Sequence, residues 1–197
     1  SSSRASVSSR MRKSLRVCLY QARYYYDYPG SDSNQLVDAL ILARERGVRV
    51  EVIMDQSSFK RGHDEENMPT AERLARGGCL VYFDPPEVQS HQKILIADGA
   101  VTVVASANWS HYSMALNREA SVMIWGADVA HAYTQYFEAR LEAATPFAPP
   151  PAEEGAPAQK PLALETVPPA DLDPDRAAVI RAEELARSNQ DLEDFAY

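Results

Sequence analysis

Residues 90–108 read S-H-Q-K-I-L-I-A-D-G-A-V-T-V-V-A-S-A-N, two apolar runs joined by Asp98-Gly99. An Asp-Gly pair between apolar runs is typical of a β-hairpin, because both residues adopt the positive φ angles that a tight turn needs. If the turn has only these two central residues, the residues on either side of it pair with each other. Counting back along both strands then places His91 opposite Ser106.

The open end of this predicted hairpin carries four polar side chains. Residues two apart in a strand share a face, so His91 and Lys93 point the same way. Ser106 and Asn108 share a face by the same rule. An imidazole can attack phosphorus, an ammonium group can neutralise a non-bridging oxygen, and a hydroxyl and an amide can hold the remaining oxygens. The sequence therefore predicts a site for a phosphodiester.

Strand and helix patterns alternate before the hairpin, and one more strand and helix follow it. The first helical pattern lies between the candidate caps Ser33 and Asn34 and a terminating Gly47. The other predicted elements are strands at 15–20, 48–54, 79–83, 94–97, 101–106 and 120–125 and helices at 70–76 and 127–144. This alternation predicts a sheet that is at least partly parallel and covered by helices.

Charge and composition divide the 197 residues into a folded part and an acidic tail. Of the net charge of -8, residues 148–197 contribute -7, with 4 basic and 11 acidic side chains. We expect a polar, basic N-terminal segment at 1–14, a folded domain at 15–144, an extended linker at 145–172 and an acidic helix and tail at 173–197. The basic cluster near the N-terminus suits an anionic partner.

Several classes of protein are not expected. No apolar run approaches the roughly 18 residues of a membrane span. Cys18 and Cys79 lack a C-x-x-C spacing, and no cluster of histidines and carboxylates has metal-ligand spacing, so neither a disulfide framework nor a metal site nor a cofactor is predicted. Two free cysteines and no export sequence mildly favour the cytosol.

The spacing His91-x-Lys93, four residues and Asp98, then Ala105-Ser106-x-Asn108, resembles the HxK(x4)D signature of the phospholipase D superfamily. Asn117-Arg118-Glu119 resembles the N-x-E segment that follows it, and residues 39–55 resemble the preceding helix and strand. The resemblance extends over residues 15–141. It implies an α/β fold, an α-β-α sandwich with a mixed, largely parallel central sheet.

The same resemblance implies a role for each matching residue. His91 would be the nucleophile that forms a covalent phosphohistidine, and Glu119 would accept a hydrogen bond from its other ring nitrogen. Lys93, Ser106 and Asn108 would bind phosphoryl oxygens, whereas Asp98 would fix the hairpin. The family's usual glycine before the serine is an alanine here. Weaker candidates for substrate contact are Lys60, Arg61 and Trp109.

The reaction needs a second imidazole to protonate the leaving oxygen, and the chain contains one motif. The resemblance therefore implies a symmetric homodimer with its active site on the two-fold axis. The alternative is that a second, motif-bearing half of a longer protein completes the site.

The favoured function is metal-independent phosphodiester hydrolysis on nucleic acid, because the folded part carries a basic cluster and no loop resembles a lipid-entry surface. One alternative is a phospholipase or phosphatidyltransferase, with residues 24–28, Phe59 and Trp109 lining an acyl-chain groove. Another is a non-catalytic module that binds nucleic acid or protein, with the linker and the acidic helix as its docking element.

Overall fold

The computed structural model describes residues 13–56 and 63–151. Within these ranges a seven-stranded sheet is flanked by four helices. In chain order the elements are β1 Ser14–Leu19, α1 Asp32–Glu45, β2 Arg49–Met54, α2 His63–Arg76, β3 Leu80–Phe83, β4 Lys93–Ala97, β5 Val101–Ala105, α3 His111–Ala115, β6 Ser121–Trp125, α4 Ala127–Leu141 and β7 Thr145–Pro146. Among the described residues, none of the helices has the length and apolarity that crossing a bilayer requires.

The sheet has the strand order β6-β5-β4-β1-β2-β3-β7. Strands β1, β2 and β3 are parallel, whereas the other four described pairings are antiparallel. The sheet is mixed, as expected, but the expectation that it is largely parallel is wrong. The physical reason is that β4, β5 and β6 run antiparallel one after another, joined by the Asp98-Gly99 turn and by the loop that contains α3, and only crossover helices such as α1 and α2 return a strand in the parallel direction.

Helices cover both faces of the sheet, which confirms the α-β-α sandwich. On one face, Val17 and Val52 pack with Val37 of α1 and Leu74 of α2. On the other face, Cys18, Ile53 and Ile96 pack with Ala130 and Phe137 of α4. Neighbouring residues of one strand, such as Val17 and Cys18, therefore enter different cores, as the period of two requires.

Two helix starts differ from the predicted ones, and one short helix was not predicted. Helix α1 is capped by Ser31, whose hydroxyl accepts from the Asn34 backbone nitrogen at 3.2 Å. Ser33 and Asn34 thus lie inside the first turn rather than at the cap. Helix α2 begins at His63 and contains Pro69, whereas the prediction began it only at residue 70. The one-and-a-half-turn helix α3 was not predicted, because so short an element has no periodic pattern.

The hairpin between β4 and β5 contains the expected turn, with φ angles of 52° at Asp98 and 62° at Gly99. Its register differs by one residue from the prediction, since Ala97 pairs with Val101. Ala100 stands outside the ladder: its nitrogen donates to the Ala97 carbonyl at 2.9 Å within the turn, and its carbonyl accepts from the Gly126 nitrogen at 2.9 Å. The ladder therefore brings Lys93 towards Ala105, and the predicted pairing of His91 with Ser106 is wrong.

The domain also extends beyond its predicted end at residue 144. Thr145 and Pro146 form β7 against the edge of β3, and the Phe147 nitrogen donates to the Val81 carbonyl at 2.9 Å. The linker boundary at 145 is therefore wrong, because the first three of those residues complete the sheet. Residues 1–12 and 152–197, which include most of the predicted basic N-terminal segment, most of the linker and the predicted acidic helix, lie outside the described residues.

Candidate active site

The candidate residues gather at one end of the sheet, where the parallel strands β1, β2 and β3 finish and β4 begins. Lys93, the first residue of β4, pairs with Leu19 at the end of β1. The next nitrogen along β1, that of Tyr20, donates to the Gln92 carbonyl at 2.8 Å. The backbone therefore holds the His91–Lys93 segment directly against the end of β1.

His91 and Lys93 are in direct contact. The Lys93 Nζ lies 3.2 Å from both His91 Nδ1 and His91 Nε2. The histidine is exposed, whereas Lys93 is buried, with 5% of its surface accessible. Burial lowers the pKa of Lys93 to about 8, and the carboxylates of Glu119 and Asp55 oppose that shift. A buried ammonium group thus stands beside an imidazole that solvent and substrate can reach.

Glu119 and Ser106 meet at the other side of the site, between β5 and β6. The Ser106 hydroxyl donates to Glu119 Oε2 and accepts from the Ala120 nitrogen at 3.0 Å. The other carboxylate oxygen, Glu119 Oε1, accepts from Asn117 Nδ2 at 3.0 Å. Because Glu119 also raises the pKa of Lys93, its charge acts on the lysine that contacts His91. These hydrogen bonds join Ser106, which follows β5, to Glu119, which precedes β6, and the charge of Glu119 links the pair to Lys93 of β4.

Asn108 and Trp109 follow Ser106 along the chain. The side-chain oxygen of Asn108 is buried and is among the polar atoms of the described residues that have no hydrogen-bond partner. The Trp109 side chain is buried, while its backbone nitrogen donates to the Gln21 carbonyl at 2.9 Å and its carbonyl accepts from the Ser33 hydroxyl at 2.7 Å. Trp109 thus ties the site to the loop after β1 and to α1.

Asp98 lies at the opposite end of β4 from His91. Its carboxylate accepts from the Ser14 nitrogen at 2.8 Å, which joins the hairpin turn to the start of β1. Of the weaker candidates, Lys60 and Arg61 lie outside the described residues, as does Phe59.

Four further residues support His91, and the sequence analysis did not identify them. The Ser90 nitrogen donates to Asp55 Oδ1 at 2.6 Å, and its hydroxyl donates to Asp84 Oδ2. Tyr20 places its ring 4.4 Å from the His91 ring, centroid to centroid. Tyr20, Asp55 and Asp84 each follow the last residue of a parallel strand. That shared position would have identified them, since the carboxyl ends of parallel strands meet at one edge of a sheet.

A pocket of about 500 Å³ opens beside Lys93, on the face of the sheet that carries α1 and α3. Glu119, Asn117 and Ser113 contribute polar groups to its wall. The remaining lining is mainly apolar and comprises Leu36, Ile94, Leu95, Val103, Ala105, Ala107, Trp109, Met114 and also Ser121. The pocket wall thus combines the charged groups of Lys93 and Glu119 with a mainly apolar lining. Within residues 13–56 and 63–151, no group of three or more described histidine, cysteine, aspartate or glutamate side chains is placed to hold a metal ion.

Comparison with known proteins identifies the family. The family described as "Cardiolipin synthase, PLD-like domain" matches residues 8–141, more than half of the chain. The chain belongs to the phospholipase D superfamily. This places His91, Lys93 and Asp98 within the matched part of a phospholipase D-like domain.

Individual relatives agree with that assignment. A mitochondrial cardiolipin hydrolase from Xenopus tropicalis is 29% identical over 129 residues, which is 66% of this chain and 55% of the relative. A phospholipase D from Rickettsia bellii is 29% identical over 117 residues, covering 59% of this chain and 55% of that protein. This phospholipase D-like chain therefore spans about half the length of these relatives.

A solved structure shows the same fold. The phospholipase D family member Nuc from Salmonella typhimurium superposes with a TM-score of 0.57 at 20% identity, over 68% of this chain and 81% of Nuc. At that identity the likeness concerns the arrangement of helices and strands.

Proposed function

We propose that this domain hydrolyses phosphodiesters through a covalent phosphohistidine at His91. The observation that carries the proposal is the contact at 3.2 Å between the Lys93 ammonium group and the ring nitrogens of an exposed His91. An imidazole that solvent reaches can approach phosphorus, and the adjacent cation can neutralise the charge that builds on the phosphoryl oxygens.

The reaction proceeds in two displacements. A ring nitrogen of neutral His91 attacks phosphorus, the bond from phosphorus to the leaving oxygen breaks, and a general acid supplies a proton to that oxygen. Water then attacks phosphorus, gives a proton to a base, and displaces the histidine nitrogen. Glu119, which accepts from Ser106 and Asn117 in the free protein, takes the hydrogen bond of the other ring nitrogen when substrate binds, and so holds the tautomer whose attacking nitrogen carries the lone pair.

The remaining candidates bind the phosphoryl group. The Lys93 ammonium group supplies the charge, and the Asn108 amide supplies a neutral donor. The Ser106 hydroxyl donates to Glu119 in the free protein, and it turns to a phosphoryl oxygen when substrate binds. Since Ser106 and Glu119 are exposed at the same edge as His91, substrate reaches all three without opening the core.

The proton for the leaving oxygen comes from a second imidazole. Of the two further histidines whose side chains the structure describes, His111 is only 4% exposed and packs edge-on against the Tyr28 ring, and His131 lies on α4 at the opposite face of the sheet. Neither supplies an accessible acid at this site. We therefore infer that a second copy of the chain, or a second motif-bearing half, presents the partner histidine.

Nucleic acid is the substrate class we propose first. His91, Ser106 and Glu119 are exposed at one end of the sheet, and a polymer can present an internal phosphodiester to that end without entering a cavity. The second candidate is a phospholipid, favoured by the mainly apolar lining of the 500 Å³ pocket beside Lys93. Trp109 lines that pocket, whereas residues 24–28 do not. Relatives named as a cardiolipin hydrolase and a phospholipase D give the lipid candidate further support.

The test is a substrate panel of single-stranded DNA, RNA, and vesicles of phosphatidylcholine or cardiolipin. We expect cleavage of nucleic acid, loss of turnover with retained binding in His91→Ala, and a phosphorylated His91 peptide after rapid quenching at alkaline pH. His131→Ala is the matched control, because that histidine is exposed on the other face. Cleavage of lipid alone would reverse the order of substrates, and full turnover in His91→Ala would refute the nucleophile. Binding without any turnover by the unsubstituted chain would indicate the non-catalytic module.

A further inference from the structure

Tyr20 contacts both His91, the proposed nucleophile, and Lys93, the cation beside it. Its ring lies 4.4 Å from the His91 ring at an interplanar angle of 50°, and the Lys93 Nζ lies 4.9 Å from its ring centre. The second distance is within the roughly 6 Å over which a cation is attracted by the face of an aromatic ring. One aromatic side chain therefore contacts the imidazole and the ammonium group at once.

The backbone and hydroxyl of Tyr20 hold the ring in place. The nitrogen donates to the Gln92 carbonyl at 2.8 Å, and the carbonyl accepts from the buried Asn67 Nδ2 at 2.8 Å. The phenol oxygen accepts from Gln89 Nε2 at 3.2 Å. Because Gln89 and Gln92 flank His91, the tyrosine is bound to the same loop that its ring contacts. The ring is buried, with 8% of the residue accessible.

We propose that Tyr20 is a positioning residue that holds the His91 ring for attack and keeps the Lys93 ammonium group protonated through its aromatic face. This inference rests on the proposed function. The ring contact restricts rotation of an imidazole that is otherwise exposed, and a fixed nucleophile loses less freedom on reaching the transition state. The same ring face favours the charged form of the lysine.

Several groups around Lys93 act on its charge state together with the Tyr20 ring. Burial disfavours the ammonium form and lowers the pKa of Lys93 to about 8, while Glu119 from the β6 side and Asp55 from the end of β2 favour that form. His91 contacts the ammonium group from the residues just before β4, and Tyr20 does so from the residue after β1. Without the aromatic face of Tyr20, fewer groups oppose the effect of burial on Lys93. The pKa of Lys93 then falls further, and the ammonium group loses its proton at a lower pH.

The experiment compares Tyr20→Phe with Tyr20→Leu in the full chain and measures kcat, KM and the pH profile. We expect the pH profile of Tyr20→Phe to keep the same alkaline limb as that of the unsubstituted protein, because the aromatic ring remains. We expect Tyr20→Leu to lower kcat about tenfold with KM changed less than about twofold, and to move the alkaline limb to lower pH. Tyr26→Leu is the control, since Tyr26 is exposed.

A second comparison avoids the effect of shape on folding. Pentafluorophenylalanine at position 20 has the size of phenylalanine but a reversed ring charge distribution, so it should move the alkaline limb below that of Tyr20→Phe. This inference alone is overturned if the alkaline limb is the same in Tyr20→Phe, in Tyr20→Leu and with the fluorinated residue, while activity still depends on His91. Activity that survives His91→Ala overturns the proposed function instead.

Discussion

The Ser90 hydroxyl donates to the buried Asp84 carboxylate, one residue before His91 in the chain. The Ser90 nitrogen is held in the same way by Asp55 Oδ1 at 2.6 Å. Two carboxylates at the ends of adjacent parallel strands thus fix the backbone that carries the proposed nucleophile. Burial raises the pKa of Asp84, and the hydrogen bond from Ser90 and the charge of Arg140 oppose that shift.

The two sides of this hydrogen bond predict unequal effects of substitution. Ser90→Ala leaves the buried Asp84 carboxylate without one of its donors, and we expect it to lower the free energy of unfolding by about 1–3 kcal/mol. Asp84→Asn keeps an acceptor for Ser90 and removes a buried charge, so it should cost less at pH 7 than Ser90→Ala. Urea unfolding of both variants measures the difference. Equal destabilisation by the two substitutions would show that the buried charge has no cost.

The lowered pKa of Lys93 predicts an alkaline limit of activity. The pKa of Lys93 is lowered to about 8, so the cation that the mechanism requires is present below that pH and lost as pH rises through it. We expect kcat/KM to fall on the alkaline side with a midpoint near pH 8. In Lys93→Arg the remaining activity should lose this limb, because a guanidinium group stays charged. An alkaline midpoint that is the same in Lys93→Arg would assign it to another group.

The charge of Lys93 is expected to support activity and to lower the stability of the fold. A pKa below the ordinary lysine value means that the folded protein disfavours the charged form. Lys93→Met keeps the length of the side chain and removes the charge, so at pH 7 it should abolish turnover and raise the free energy of unfolding by of the order of 1 kcal/mol. Thermal unfolding and an activity assay on the same sample measure both. A loss of both stability and activity would indicate that the ammonium group supports the fold.

Local features of the chain predicted the β-hairpin and predicted that the side chains of His91 and Lys93 lie on the same side of the strand. The Asp-Gly turn and the period of two act over a few residues, so the sequence pattern contains them. The register error arose at Ala100, whose carbonyl bonds to Gly126, a residue 26 positions away in the chain. The contact of Tyr20 with His91 likewise depends on the antiparallel pairing of β1 with β4, which joins segments about 70 residues apart. Such pairings are set by packing of the whole sheet, and no local pattern encodes them.

The proposed chemistry takes its nucleophile from His91 and its positive charge from Lys93, so it needs no metal ion. We expect turnover to be unchanged after dialysis against EDTA and unchanged on adding magnesium or zinc. The control is a metal-dependent nuclease on the same substrate, which EDTA should inactivate. Loss of turnover on chelation, restored by a divalent cation, would contradict the phosphohistidine mechanism.

The edge strand β6 predicts where a second copy of the chain binds. Met123 and Trp125 are 60% and 78% exposed on a strand that begins two residues after Glu119. Large exposed apolar side chains on an edge strand next to a site are typical of an interface. We expect a homodimer by light scattering, and we expect Met123→Lys to yield a folded monomer with turnover reduced at least tenfold, because the partner imidazole is lost. Leu80→Lys is the matched control, since Leu80 is an exposed residue on β3. A fully active monomer would contradict the requirement for a second chain.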